Sequence, residues 1–436
     1  MVPRGTSEMP DRLSAQIRDA RERTLCLIEG LDGQQMMGPR LAIVNPLRWE
    51  IGHTAYFYEY WVLRQHLGEQ PVFQGVDALY DSITIAHDDR GDLPLPELAD
   101  TLAYMREVQT RVCRHLEQGG ADPQRDYLAQ YAVFHEDMHT EAFTYTRQTL
   151  GYPTPDIPAG RHLESLSEDG AGDVAIPAGT FVLGARSQDG FVFDNEKWGH
   201  EHEVAPFHIA RTAVSQAEFA AFTDAGGYTD RALWSDEGWD WRQRRGLEHP
   251  VYWRKERGGW QRRQFDRWLS LESRAAMIHV SWYEAQAYCR WAGRRLPTEL
   301  EWEVAAAAEP TADGGALAEV KRRYPWGDEP PTPDLANLDG HSLGTIDVGA
   351  LEAGDSAFGC RQMIGNAWEW TDTLFRPYPG FEPDMYADYS QPLFGNTRVL
   401  RGGGWATRGR MIRNTWRNYY GADRNDVFAG FRTCAL

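Results

Sequence analysis

Long apolar runs are missing from this 436-residue chain. None approaches the roughly 20 residues that a bilayer-spanning helix needs, so no membrane partner is expected. Cysteine is scarce as well: Cys26, Cys113, Cys289, Cys360 and Cys434 are scattered, odd in number and form no C-x-x-C pair. That pattern excludes a disulfide framework and reads as reduced thiols in a cytoplasmic protein. Positive charge is in deficit, 45 Lys and Arg against 64 Asp and Glu, a formal −19. This argues against a nucleic-acid partner and for a soluble protein. What is plentiful is core material, with 42% apolar residues, 17 Trp, 19 Tyr and 17 Phe. A chain of this length exceeds one ordinary core, and two or three domains are expected. The opening MVPRGT resembles the remnant of a cleavable expression tag and is set aside.

The first half reads as helices over 10–31, 45–67, 97–118 and 124–150, each with apolar residues at three- and four-residue spacing. Asn45-Pro46 is expected to open the second helix as a cap and first-turn proline, and Gly151 with Pro153 to close the fourth. Four such helices predict an up-and-down bundle, a scaffold that hosts metals between facing helices. The segment YAVFHEDMHTEAFTY (131–145) places His135 and His139 four apart, on one helical face and close enough to share a metal ion. WEIGHTAYFYEYW on the second helix offers His53 as a third ligand, although one histidine alone is more often a packed or capping side chain than a ligand. HEDMH also matches H-E-x-x-H, the zinc-peptidase signature, with Glu136 as general base. Against that stand the missing third histidine of the longer signature and a large second half left without a task.

Between the second and third helices lies ALYDSITIAHDDRGDLPLP (78–96), an aperiodic loop carrying Tyr80, Asp81, His87, Asp88, Asp89 and Arg90. It reads either as a solvated connector or as a substrate-facing lid. Residues 155–172 are Pro-, Gly- and acid-rich and read as a linker. Beyond it the periodicity changes: 174–185 alternates like a strand pair around a turn, 213–224 and 281–293 read as short helices, and brief glycine-rich strands follow from 340. The tryptophan-dense stretch 233–269 alternates with charge, and the overall acidity favours a packed, arginine-stacked subdomain there.

The run IPAGTFVLG … HVSWYEAQAYCRWAGRRLPTELEWEVAA … YPWGD … IGNAWEWT … VLRGGGWAT … FAGFR resembles the formylglycine-generating-enzyme-type domain, from about 174 to 436. The copper-binding cysteine pair of those enzymes has no counterpart, since no cysteine lies between Cys360 and Cys434. Joined to a DinB-like bundle bearing His53 and HEDMH, the whole is similar to the ergothioneine-type sulfoxide synthases. The resemblance implies a fold of α plus α+β class. A DinB-like four-helix bundle (8–160) would precede a formylglycine-generating-enzyme/C-type-lectin-like domain (174–436).

It also implies Fe(II) held by His53, His135 and His139, with O2 as co-substrate. The reaction would couple a sulfur donor to the imidazole C2 of hercynine (Nα-trimethylhistidine). Three imidazoles leave three positions on a six-coordinate ion for the reactants. A quaternary ammonium calls for aromatic faces. TWRNYYGADRNDVFAGFR resembles the family's hercynine-binding segment, which implies contacts from Asn418 and Tyr419, with Trp416, Tyr420 and Arg424 nearby. Met138 stands where the family often has a glutamine touching hercynine. The implied general acid is a tyrosine of PYPGFEPDMYADYS (Tyr378, Tyr386 or Tyr389), with Tyr378 first and Tyr80 as the fallback.

The family's arginine-rich donor segment, G-P-R-H-x-R-x-x-R-G-x-L-S-R-P, is here YDSITIAHDDRGDLPLP. Arg90 remains, among Asp81, Asp88, Asp89 and Asp92. Carboxylates there would repel a doubly anionic peptide and suit a hydroxyl-rich sugar. The departure points to the selenoneine synthase branch, with a selenosugar as donor, ahead of an ergothioneine-type sulfoxide synthase using γ-glutamylcysteine or cysteine. A zinc hydrolase using Glu136 and a non-catalytic, lectin-like binding module remain as readings of other classes.

Overall fold

The structure, a computed structural model, describes residues 8–157 and 172–436. The tag-like opening and most of the expected 155–172 linker lie outside the described residues. The chain divides into two compact units, Met1–Ile157 and Pro158–Leu436.

The first unit is helical. Its elements are α1 (Glu8–Ile28), α2 (Gly33–Met37), α3 (Leu47–Tyr58), the short α4 (Asp77–Tyr80), α5 (Leu98–Gln118) and α6 (Pro123–Leu150). α3 runs on into a π-helical segment, Glu59–His66. The long helices form a ring in which α1 meets α5 and α6, and α3 meets α5 and α6. Leu13, Ile17, Ala20, Thr24 and Leu27 of α1 are all buried, and their alternating spacing of four and three residues keeps them on one face. α6 opens on Asp122, whose side chain accepts from Arg125 N, with Pro123 in the first turn, and closes on Gly151 in the left-handed region (φ 66°).

α3 departs from expectation at its start. Pro46 occupies the cap position with no side-chain cap, and Asn45 instead accepts a hydrogen bond from Arg90 Nη1 (2.9 Å). The 78–96 segment is also more ordered than an aperiodic loop, since α4 begins just before it and a 3₁₀ turn spans His87–Asp92.

The second unit is an irregular α+β assembly. A four-stranded sheet in the order β12-β11-β10-β13 is built from β10 (Trp368–Leu374), β11 (Arg398–Arg401), β12 (Asn418–Tyr420) and β13 (Ala429–Gly430). Two-stranded pairings, among them β8 (Ala308–Pro310) with β9 (Leu317–Lys321), and two helices with capping boxes, Trp282–Trp291 and Glu299–Ala307, pack around it. Val174, Ile176, Phe181, Ile209, Trp302 and Met363 share one buried cluster.

The expected strand pair at 174–185 does not form. β1 (Asp173–Ile176) pairs with β4 (Phe207–Ala210), and β2 (Gly179–Leu183) pairs with β3 (His200–Val204). A two-residue hairpin needs positive φ in its turn, and Pro177-Ala178 has none, so the chain passes from one sheet to the other. In the tryptophan-dense stretch, the meander β5 (Trp253–Glu256), β6 (Gly259–Gln264) and β7 (Arg267–Ser270) stacks Arg254 on Trp268 at 4.2 Å, as the composition suggests.

Candidate metal centre

His53, His135 and His139 converge. One ligand atom from each lies within 4.8 Å of the others, and among the described residues this is the one such group of His, Cys, Asp and Glu. α3 and α6 run antiparallel here, so Glu50 meets His139, His53 meets His135 and His139, and Phe57 meets Tyr131 and His135. The helical repeat dictates the ladder, because 50, 53 and 57 fall on one face of α3 and 131, 135 and 139 on one face of α6.

Two of the imidazoles are oriented by fixed acceptors. His53 Nδ1–H donates to the Tyr80 carbonyl (2.8 Å), and His139 Nδ1–H donates to Glu50 Oε1 (2.8 Å). In both rings Nε2 is thereby left as the ligand atom, the arrangement that carbonyl and carboxylate acceptors impose on metal-binding histidines. His53 stacks on Trp49 (4.7 Å, 10° between planes), and His135 stacks on Phe57 (3.9 Å, 13°). Burial, reinforced by the neighbouring His139, holds His53 and His135 well below the usual imidazole range. They are neutral, which is the form a cation needs. Three neutral, buried, convergent nitrogen donors fit a transition-metal ion such as iron(II).

Gly52 explains how Tyr80 reaches His53. A Cβ on Gly52 would lie 2.2 Å from Tyr80 Cε1, so the absence of a side chain lets the Tyr80 ring pass over α3. Glu50, Trp49, Gly52 and the Tyr80 carbonyl were not among the site residues expected from sequence. Glu50 could have been, since it stands three residues before His53 on the same face.

Glu136 does not turn to the histidines. It is fully buried, accepting from Arg21 Nε (2.8 Å), Arg21 Nη2 (3.4 Å) and Thr24 Oγ1 (2.9 Å) of α1. A carboxylate held in this way cannot serve as the general base of a zinc hydrolase, and that reading is set aside on this geometry. Met138 is half-buried on α6. Asp81 accepts from Ile83 N (2.9 Å) in a local turn, and the Arg90 guanidinium lies 4.1 Å over the Trp49 ring.

The remaining expected residues belong to the second unit. Tyr378 is buried, with its hydroxyl 3.2 Å from Glu299 Oε1 and the Arg417 guanidinium 4.0 Å over its ring. Burial pushes its phenol well above the ordinary range. Tyr419 stacks on Phe375 at 4.3 Å and donates its hydroxyl to the Tyr389 carbonyl. Trp416 is buried against Trp368 (5.0 Å), with its indole N–H on the Tyr389 hydroxyl (3.4 Å). Asn418 pairs across the sheet with Leu400, Arg424 forms an ion pair with Asp426 (2.6 Å), and its guanidinium lies 5.1 Å over Tyr420. Tyr386 caps the 3₁₀ turn that contains Tyr389.

The sulfatase-modifying factor enzyme 1-like domain family matches residues 161–435, and the DinB superfamily matches residues 16–143. A hercynine oxygenase of Mycobacterium tuberculosis is 37% identical, with 97% of this chain and 98% of that protein covered. The chain belongs to the hercynine oxygenase family. A second member, from Mycolicibacterium smegmatis, is 36% identical over 97% of this chain and 98% of its own length. A formylglycine-generating enzyme of Streptomyces coelicolor is 34% identical, over 54% of this chain and 78% of that enzyme. The fold is therefore a DinB-type helical domain followed by a formylglycine-generating-enzyme-type domain, and the protein is an oxidative enzyme rather than a binding module. No described helix is long and apolar enough to cross a membrane.

Proposed function

We propose that this enzyme is an iron(II)- and O2-dependent synthase that couples the imidazole C2 of hercynine to a selenosugar, a selenoneine synthase. The reaction balances as hercynine C–H plus R–SeH plus O2 giving C–Se(O)–R plus H2O. A C–Se bond forms, the C–H and Se–H bonds break, and O2 takes up four electrons. Hercynine as the acceptor is supported by the named relatives, whose likeness spans both domains. Iron is supported by the donor set of His53, His135 and His139. When bound there, it would supply the one-electron chemistry with O2 that side chains lack.

The chain's own groups have separable tasks. Glu50 and the Tyr80 carbonyl hold two imidazoles in one tautomer, while Trp49 and Phe57 wall the site with apolar rings. Asn418 and Tyr419, with Trp416, Tyr420 and Arg424, are proposed as hercynine contacts, since aromatic faces suit a quaternary ammonium. Met138 is proposed to meet the same substrate. Tyr378 is proposed as the proton donor. Its buried phenol keeps its proton, and it must release Glu299 to act. Tyr80 is the fallback.

The donor reading is carried by the 77–97 segment. Arg64 is paired with Asp77 (2.6 Å), Arg40 with Asp92, and Arg48 with the Pro96 and Leu95 carbonyls (2.6 and 2.9 Å). Arg90 is engaged with Asn45 and Trp49. Arg64, Arg48 and Arg90 are thus engaged, and Arg40 has only an exposed pair, so the segment offers no cluster of guanidinium groups for the forked grip that a peptide donor's carboxylates require. Asp88 and Asp89 are exposed, and Asp81 keeps a carboxylate at the same segment. A neutral, hydroxyl-rich donor suits that surface. The five described cysteines are free, in keeping with a reducing cytoplasmic setting.

The test is anaerobic reconstitution with Fe(II), then O2 and hercynine with selenoglucose, thioglucose, γ-glutamylcysteine or cysteine, reading product mass. An adduct from the selenosugar alone is expected. An adduct from γ-glutamylcysteine alone would make the enzyme a sulfoxide synthase and overturn the donor argument.

A further inference from the structure

α3 and the segment after it are fastened at three successive places. Trp49 Nε1–H donates to the Leu79 carbonyl (2.8 Å), His53 Nδ1–H donates to the Tyr80 carbonyl (2.8 Å), and Arg90 lays its guanidinium 4.1 Å over the Trp49 ring. Trp49 in turn lies parallel to the His53 imidazole, 4.7 Å away. Arg90 Nη1 is anchored on Asn45 Oδ1 (2.9 Å), just ahead of the helix. Stacked groups thus lead from the aspartate-bearing segment, through an indole, to a candidate metal ligand.

We infer that Arg90 is a positioning residue of the metal centre, holding Trp49 against His53 and tying the ligand's orientation to the conformation of residues 81–92. This rests on the metal reading of the three histidines. Other contacts of that stretch are weaker by comparison, such as the local Asp81 bond to Ile83 and the solvent-exposed pair of Asp92 with Arg40. The guanidinium does what an ammonium cannot, presenting a flat face to the indole while donating in its own plane to Asn45. The charge Arg90 carries is spent inside the protein rather than on a donor. That accounts for an arginine surviving among aspartates in a segment that otherwise lacks them.

The test uses the full-length protein, Co(II) as an absorbance probe of the histidines, and amide hydrogen exchange across 81–92. Arg90→Ala and Arg90→Lys are both expected to weaken Co(II) binding by about tenfold and to speed exchange in that segment, lysine giving no rescue. Asn45→Ala, which leaves the stack but removes its anchor, is expected to change both in the same direction and by less. Thermal melting checks that each variant is folded. Unchanged Co(II) affinity with a raised donor KM would make Arg90 a donor contact and overturn the inference. Unchanged affinity with only a lower melting temperature would overturn it in favour of a purely structural role. Wild-type protein that binds no Co(II) would remove the metal reading itself, an outcome visible before any variant is compared.

Discussion

Glu50 Oε1 accepts the Nδ1 hydrogen of His139 at 2.8 Å, although 89 residues separate them. The contact spans from α3 to α6 and fixes which nitrogen of His139 faces its two partner histidines. Glu50 is almost fully buried, and its second oxygen finds no hydrogen-bond partner among the described residues. Such a carboxylate is costly to bury for packing alone. Glu50→Ala is expected to weaken binding of a divalent metal at the histidines by about 10- to 100-fold. Glu50→Gln keeps an acceptor and should lose less. Metal titration of the two variants checks this, and equal affinities for both variants and wild type would contradict it.

Gly52→Ala is expected to be among the most damaging small changes in the first unit. The new methyl would stand 2.2 Å from Tyr80 Cε1, and the ring cannot withdraw without moving the carbonyl that orients His53. In a helix interior alanine is ordinarily better than glycine by about 1 kcal/mol, so a loss of stability would itself identify the clash. Chemical denaturation together with metal titration reads both effects, and a more stable variant with intact metal binding would contradict the packing described.

For Glu136 the expected outcomes separate two chemistries. Glu136→Ala leaves Arg21 buried without its charge partner and should cost about 3–5 kcal/mol. Glu136→Gln is milder and should leave oxidative coupling per metal-loaded molecule unchanged, whereas a hydrolase would lose about 10²- to 10⁴-fold with its general base.

His279, in the second unit, supplies a pH prediction. It is buried, packed against Tyr252 and Phe428, with Nδ1 on the Asp426 carbonyl (3.1 Å), and burial lowers it to about 3. Its folded value lies below its unfolded one, so the unfolded chain binds the extra proton. The contribution is complete above about pH 6.5 and is lost as pH falls toward 3, at about 1.4 kcal/mol per pH unit. His279→Asn, which tolerates the positive φ of 63°, should flatten the acid limb of stability against pH by one proton. An unchanged slope would contradict this.

The long helices were legible because their spacing, caps and stops agree. The expected 124–150 differs by one residue from Pro123–Leu150. The convergence of His53, His135 and His139 was legible through helical periodicity and family resemblance together. What surrounds them was not. The acceptor for His53 is a backbone carbonyl 27 residues away, which no side chain announces. Asn45 reads as a cap because asparagine usually is one before a helix, yet Arg90 claims its oxygen. The charge of Arg90 is plain in the sequence, but the indole beneath it is not. The strand pair at 174–185 failed for a similar reason, since alternation marks strands but does not name their partners.

The proposed coupling is tested by following the C2 hydrogen of hercynine. Hercynine deuterated at imidazole C2 would be turned over with selenoglucose, Fe(II) and O2, and the adduct weighed. The expected outcome is a selenium-bearing adduct that has lost the deuterium, with no adduct from a His135→Ala variant. An adduct that keeps the deuterium, or no adduct from wild-type enzyme, would contradict it.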